Sequence, residues 1–131
     1  MLLLKVLSLL QPWASLVVLG HKTIETRSWT TVYRGPLLIH AGVRTSGKAF
    51  ATLPAIAPLL PEFKELAFGA IIGEVTLRDV LTLESGLQNA LPEHTLEEQA
   101  FAPGRYGFVF TDAHCFDEPI PARGKLGLWE W

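Results

Sequence analysis

Three ionisable residues, Lys22, Glu25 and Arg27, stand within six positions of a chain that otherwise carries few charges. Glu25 and Arg27 are two residues apart, so in an extended strand their side chains point to the same face. A guanidinium fork binds carboxylate or phosphate groups in a fixed geometry, and a lysine nearby can reach the same ligand. The cluster therefore predicts a polar site for a ligand with phosphate or hydrogen-bonding groups.

A second interpretation of the same residues is structural. A glutamate and an arginine on one face of a strand often form a solvated ion pair that contributes little to stability. Trp29 falls on the same predicted face, where an indole beside charged groups offers a platform on which a nucleobase can stack. A single tryptophan is also commonly part of a core, so both interpretations stay open at this point.

The elements around the cluster explain how it would be positioned. Residues 2–7 are rich in aliphatic side chains and predict a buried strand. Residues 12–19 predict a short helix with one apolar face, because proline suits the first helical position and Gly20 is a natural C-terminal stop. Residues 23–29 alternate as a strand does, and this alternation places Glu25, Arg27 and Trp29 together.

The rest of the chain predicts a mainly β protein of the α+β class. Strands are expected at residues 37–40, 70–83 and 126–131, and around Tyr106, Phe108 and Phe110. Glycine and prolines break residues 42–65 into short helices, and turns or loops are expected at 34–36, 84–102 and 119–123. Five or six strands with short flanking helices favour a small β-barrel, because closure removes exposed edges.

The composition limits the kinds of partner. The 131 residues predict a single domain spanning 1–131. A net charge of −2 disfavours binding to long duplex DNA, which needs a basic excess. The single cysteine, Cys115, excludes an intramolecular disulfide and fits a cytoplasmic location. The apolar N-terminal run is interrupted by Lys5 and is too short for a membrane span.

Several motifs together resemble the ASCH domain family of the PUA-like superfamily of small β-barrels. The run Leu-Ser-Leu-Leu-Gln-Pro-Trp-Ala-Ser at residues 7–15 is followed by the pattern Gly20-x-Lys22-x-x-Glu25-x-Arg27-x-Trp29. The stretches at 34–37, 69–75 and 119–124 also fit the family's usual form. The resemblance implies a cleft beside the barrel that binds RNA or a modified nucleotide. Lys22, Glu25 and Arg27 take the signature positions, with Gln11 and Trp13 next to the cleft.

The resemblance leaves two functional classes open. Some family members are amidohydrolases that deacetylate acetylcytidine with a lysine, a threonine and a glutamate, but Glu25 stands here where those enzymes have the threonine. Other members are ribonucleases. As a binding module, the chain would hold a nucleotide through Arg27, Glu25 and Trp13 or Trp29. As a hydrolase, Lys22 would be the base and Glu25 would orient water. A third alternative is an interaction domain with a vestigial pocket.

His40, at the end of a predicted strand, is a further candidate for the site, because its side chain titrates near neutral pH. Glu74 alternates outward and is assigned to the surface. No pair of histidines has metal-ligand spacing, so neither a metal nor another cofactor is expected. RNA or a nucleotide is the expected partner, and the sequence specifies no protein partner.

Overall fold

The computed structural model describes residues 3–83 and 104–131. Six strands form one sheet in the order β2-β5-β4-β3-β1-β6, which curls into a half-barrel. The strands are β1 (Lys5–Leu9), β2 (Ile24–Arg27), β3 (Gly35–Ala41), β4 (Ala70–Thr82), β5 (Tyr106–Pro121) and β6 (Leu128–Glu130). The prediction of a mainly β fold with five or six strands and short helices is confirmed.

The helices are all short. They are α1 (Trp13–Val18), α2 (Lys48–Ala51) and two single 3₁₀ turns at Ala57–Leu59 and Phe63–Glu65. The last three make up the broken helical segment that was predicted for residues 42–65. Among the described residues, no helix has the length and apolar character needed to cross a bilayer.

Helix α1 lies in the core of the half-barrel, in contact with β1, β3, β4 and β5. The helix was predicted correctly, but the expectation that it buries only one face is wrong, since all six of its residues are buried. The reason is that the segment at 42–65 covers the side that faces away from the sheet. Ile56 of that segment is fully buried against Trp13 and Leu16.

Two strand boundaries differ from the prediction. The first strand runs from Lys5 to Leu9 instead of over residues 2–7. The loop predicted at 119–123 is wrong in its first part, because β5 continues to Pro121 and pairs with the start of β4. Strand β2 pairs with β5 only as far as Val109, so the later part of β5 is an edge that tolerates proline.

Smaller differences affect the turns. The predicted turn at 34–36 is partly wrong, because β3 already begins at Gly35, whose φ of 128° suits glycine. The final strand is confined to Leu128–Glu130 within the predicted 126–131. The loop predicted at 84–102 lies outside the described residues.

The sheet has a gap that matters for the site. Strand β6 pairs with β1 only from Lys5 to Leu7, so the outer edge of β1 loses its strand neighbour after Leu7. Strand β2 lies at the other edge of the sheet. We call the gap between Ser8–Leu10 and β2 the seam.

Candidate functional site

A cleft of about 260 Å³ opens in the seam. Its walls come from the end of β1, from β2, from the start of α1 and from α2. The lining residues are Ser8, Leu9, Leu10, Trp13, Glu25, Thr26, Arg27, Phe50 and Arg105. The structure therefore brings three of the predicted site residues, Trp13, Glu25 and Arg27, to one place.

Glu25 supplies the carboxylate of the seam cleft. It lies opposite Phe108 in the β2–β5 ladder and is only 7% exposed. Its Oε1 is 4.0 Å from Nη2 of Arg27, and its Oε2 is buried without a hydrogen-bond partner among the described residues. Buried carboxylate oxygens are almost always hydrogen-bonded, so Oε2 is an unsatisfied acceptor in a side chain that lines the cleft.

Two arginines also line the cleft, and Arg27 is the one whose guanidinium lies near that carboxylate. Nη2 of Arg27 donates to the carbonyl oxygen of Ser8 across the seam at 3.2 Å, while its Nε is buried without a partner in the described part of the chain. Nη2 of Arg105 donates to the carbonyl oxygen of Thr26 at 3.2 Å. Backbone carbonyls thus hold both arginines beside the cleft, where they can donate to a ligand at little entropic cost.

The aromatic part of the cleft comes from two rings. Trp13 is 4% exposed and so presents little more than an edge. Phe50 packs on it with ring centroids 5.2 Å apart and an interplanar angle of 49°. Because Phe50 stays 38% exposed and lines the cleft, part of its ring is available for a planar ligand to contact.

The position of Phe50 depends on Gly47. A Cβ at residue 47 would lie 1.9 Å from the carbonyl oxygen of Gln11, so only glycine lets α2 begin so close to the backbone before α1. The approach places Phe50, three residues later, at the cleft.

Lys22 lies behind the cleft rather than in it. Helix α1 ends in a Schellman motif, in which Gly20 donates to Val17 O, His21 donates to Leu16 O and Gly20 has a φ of 81°. The reversed chain buries Lys22 to 2% exposure, with Nζ 5.1 Å from the ring centroid of Trp13. The ammonium group thus supports the inner face of the indole and is not among the lining groups.

Gln11 is fully buried and serves the start of α1. Its Oε1 accepts from the Ser15 backbone N–H at 3.0 Å, and its Nε2 donates to Ser15 Oγ at 2.8 Å and to Ala67 O at 2.9 Å. Since Pro12 at the N-cap has no side-chain acceptor, Gln11 performs that function from the preceding position. Gln11 does not line the seam cleft.

Trp29 lies outside the cleft as well. It follows the end of β2 at Arg27 and is not among the lining residues. Its ring packs edge-on against Phe108, with centroids 5.1 Å apart and an interplanar angle of 85°. It thus joins the hydrophobic core, not Glu25 and Arg27.

His40 lines a second, larger cavity of about 520 Å³ on the other side of Ser8–Leu10. Its Nε2 is 2.7 Å from the carbonyl oxygen of Ala122, which can only accept, so Nε2 donates. Nδ1 then accepts from Ser8 Oγ at 3.0 Å, and Ser8 Oγ accepts from Trp129 Nε1 at 3.0 Å. This network supplies hydrogen-bond partners for both ring nitrogens of His40 and for the indole N–H of Trp129.

Sequence reasoning did not assign six residues of the seam cleft to the site: Ser8, Leu9, Leu10, Thr26, Phe50 and Arg105. Phe50 and Arg105 are far in sequence from the 20–29 motif, and nothing in their local pattern links them to it. Ser8 stands within the Leu-Ser-Leu-Leu-Gln-Pro-Trp run, so a polar residue inside an aliphatic strand was the available signal.

The arrangement combines one carboxylate acceptor, two guanidinium donors and an exposed aromatic ring. Such a set can recognise a planar, polar group by its edge and its face. Nowhere in residues 3–83 and 104–131 do three His, Cys, Asp or Glu side chains meet as potential metal ligands.

Comparison with known proteins gives the family. The family model described as "ASCH domain" matches residues 7–117. The chain is similar to "Activating signal cointegrator 1" of Mus musculus, at 33% identity over an alignment of 131 positions that covers 95% of this chain and 22% of that protein. The human protein of the same name is 30% identical, and that alignment also covers 95% of this chain and 22% of the human protein. The chain thus spans about a fifth of the length of these relatives.

Solved structures show the same fold. The crystal structure of ASCH from Zymomonas mobilis superposes with a TM-score of 0.60 and 19% sequence identity, covering 89% of this chain and 72% of that one. A mutant of the Zymomonas mobilis protein superposes with a TM-score of 0.57 and 20% identity, covering 89% and 74%.

Proposed function

Because the chain belongs to the ASCH domain family, we propose that it is an RNA-binding domain that holds one unpaired nucleotide in the seam cleft. The observation that carries this proposal is the carboxylate of Glu25, which lines the cleft and whose buried Oε2 has no hydrogen-bond partner among the described residues. A ligand N–H group would satisfy it, and the exocyclic amino groups of cytosine, adenine and guanine are donors of this kind.

The other lining groups fit the same ligand. Arg27 and Arg105 are placed to donate to a base carbonyl or a phosphate oxygen, and Phe50 is placed to stack on the base. The cleft volume of about 260 Å³ is below the roughly 300–1,000 Å³ typical of drug-sized ligand pockets, which suits one base and excludes a duplex.

The burial of Lys22 favours a binding module over a hydrolase. A general base must reach the proton that it removes, within about 3 Å or through one water. Lys22 is 2% exposed and its Nζ faces the ring of Trp13. It therefore has a structural environment, and the lysine base of the hydrolase hypothesis does not line the cleft.

The proposal is tested by fluorescence anisotropy with a labelled single-stranded hexanucleotide. Removing a hydrogen bond to a charged group costs about 1.5–3 kcal/mol, so Glu25→Gln and Arg27→Ala should each weaken binding by about tenfold or more. Glu74→Gln and Arg78→Ala are matched controls, because both residues are exposed on β4 and line neither cavity. Equal binding by the wild type and the cleft variants would rule out the seam cleft as the site.

The same samples separate binding from catalysis. RNA and acetylcytidine are incubated with the wild type and with Glu25→Gln, and products are followed by chromatography. The binding proposal predicts intact substrates in both. Turnover by the wild type that disappears in Glu25→Gln would show that the domain is a hydrolase and would overturn the binding proposal.

A further inference from the structure

The cavity beside His40 has the features of a second ligand site. It shares Ser8, Leu9 and Leu10 with the seam cleft and extends from them to the segment before β6. We propose that it binds the phosphate and sugar of the nucleotide next to the one in the seam cleft, so that the domain holds two consecutive nucleotides of a single strand. This inference rests on the proposed function.

The charges around the cavity favour an anionic ligand. Arg44, Arg123 and Lys125 line it, and none of its twelve lining residues is acidic. The three side chains form no ion pair with the described residues, although Nζ of Lys125 lies 5.9 Å from the ring centroid of Trp129. Three cations without carboxylates in a chain of net charge −2 are a local concentration of positive charge suited to phosphate.

The segment that carries two of these cations is held in place. The imidazole of His40 donates to Ala122 O, one residue before Arg123. At Gly124 a Cβ would lie 2.7 Å from Cε1 of His40 and 3.0 Å from Oγ of Ser8, so the backbone packs directly on the buried network. Arg123 and Lys125 therefore extend from a fixed backbone, which lowers the entropic cost of binding.

His40 is a positioning residue in this account. Both of its ring nitrogens are already hydrogen-bonded, to Ser8 and Ala122, and the side chain is 2% exposed. The ligand is therefore contacted by the three cations at the rim, Arg44, Arg123 and Lys125. Exposed apolar side chains on the same rim, Val43 and Leu126, are available for the sugar and the base edge.

The path between the two cavities is short. Ser8, Leu9 and Leu10 form a wall of both, and Arg27 reaches this wall through its hydrogen bond to Ser8 O. A strand that places one base against Glu25 thus runs directly over β1 towards Arg44 and Arg123. The second cavity, at about 520 Å³, has room for a whole nucleotide.

The test is a length series of cytidine nucleotides. The wild type should bind a tetranucleotide at least tenfold more tightly than cytidine monophosphate. In the double variant Arg44→Ala/Arg123→Ala, the gain in affinity from mononucleotide to tetranucleotide should fall to less than threefold. The affinity for the mononucleotide should not change. The control Lys64→Ala/Arg78→Ala removes the same charge outside both cavities. The thermal midpoint of each variant is measured, and Lys125→Glu is a second single change expected to reduce the gain.

Indole N–H signals in a ¹H–¹⁵N spectrum locate each ligand. Trp13 lines the seam cleft, and Trp129 donates to Ser8 Oγ at the second cavity. The mononucleotide should shift Trp13, and the tetranucleotide should shift both. If the mononucleotide binds and shifts Trp13 but the gain with length survives in the double variant, the second site is refuted and the proposed function stands. If neither ligand shifts Trp13, the proposed function itself fails.

Discussion

Nη2 of Arg27, on edge strand β2, donates to the carbonyl oxygen of Ser8 in β1 at 3.2 Å and so links two strands that are not neighbours in the sheet. Strand β6 begins opposite Leu7, so its pairing with β1 does not continue past Leu7 on that side. The half-barrel is bridged at this point by a side chain, and the space beside that side chain is the seam cleft. The same guanidinium therefore connects the fold to the proposed ligand site.

Replacing Arg27 with lysine tests this double role. The charge remains, but a point-like ammonium group replaces the fork that serves both Ser8 O and a ligand. We expect the free energy of unfolding to fall by about 1 kcal/mol, the net value of one hydrogen bond. RNA affinity should fall as well. Urea denaturation and anisotropy measure the two effects, with Arg78→Lys as the control. Unchanged stability and affinity would contradict the assignment.

Phe50 is expected to supply most of the stacking. Phe50→Ala should weaken binding of single-stranded RNA by about 1–3 kcal/mol, the range measured for one base on one aromatic ring. Phe50→Trp keeps a ring face and should retain the affinity. Leu53→Ala is a control in the same segment, with a side chain that is equally exposed at 39%. A loss of affinity in Leu53→Ala that matches the loss in Phe50→Ala would indicate a general disturbance of the segment instead.

Gln11 should behave as a structural residue. Gln11→Met keeps the volume but leaves the Ser15 N–H and the Ala67 carbonyl without their partner, which should cost about 1–3 kcal/mol of unfolding free energy. The exposed Ser46 provides a control, since Ser46→Ala should change stability by less than about 0.5 kcal/mol. Affinity per folded molecule should not change. A variant that is stable but no longer binds RNA would show that Gln11 contributes to ligand binding instead.

Cys115 should react slowly with alkylating reagents near neutral pH. Partial burial and the carboxylate of Asp117 both raise the pKa of its thiol, so less of the reactive thiolate is present than in a free cysteine. Asp117→Asn removes the charge effect, lowers the pKa and should speed alkylation, while burial keeps the rate below that of free cysteine. Glu118→Gln is the matched control. Rates over a pH series provide the measurement, and no acceleration in Asp117→Asn would contradict the assignment.

Much of the fold could be predicted because its signals are local. Gly20 marks the helix end through the positive φ that the Schellman motif needs, and the alternation in β4 follows from burial of one face. The length of β5 could not be predicted in this way. Its prolines are tolerated only because β2 is too short to pair with that part of the strand, and this is a property of the neighbouring strand.

Part of the site could be predicted as well, because that part depends on local sequence patterns. Glu25 and Arg27 could be paired by strand alternation, and Trp29 packs on Phe108, the cross-strand partner of Glu25, although it does not line the cleft. Trp13 and Trp29 were both predicted to lie at the site. Trp13 lines the seam cleft, whereas Trp29 packs on Phe108. Phe50 reaches the cleft through the contact of Gly47 with the Gln11 carbonyl, a tertiary relation that no local pattern reveals.

The most direct measurement for the central claim is the ratio of affinities for oligocytidylate and oligouridylate. Cytosine presents an amino group to the Glu25 carboxylate, whereas the N–H of uracil lies between two carbonyl oxygens that the carboxylate repels. We predict that the wild type prefers oligocytidylate about tenfold, equivalent to about 1.4 kcal/mol. In Glu25→Gln, whose amide both donates and accepts, the ratio should approach one. The same ratio in the wild type and in Glu25→Gln would contradict the account, because no base would then contact Glu25.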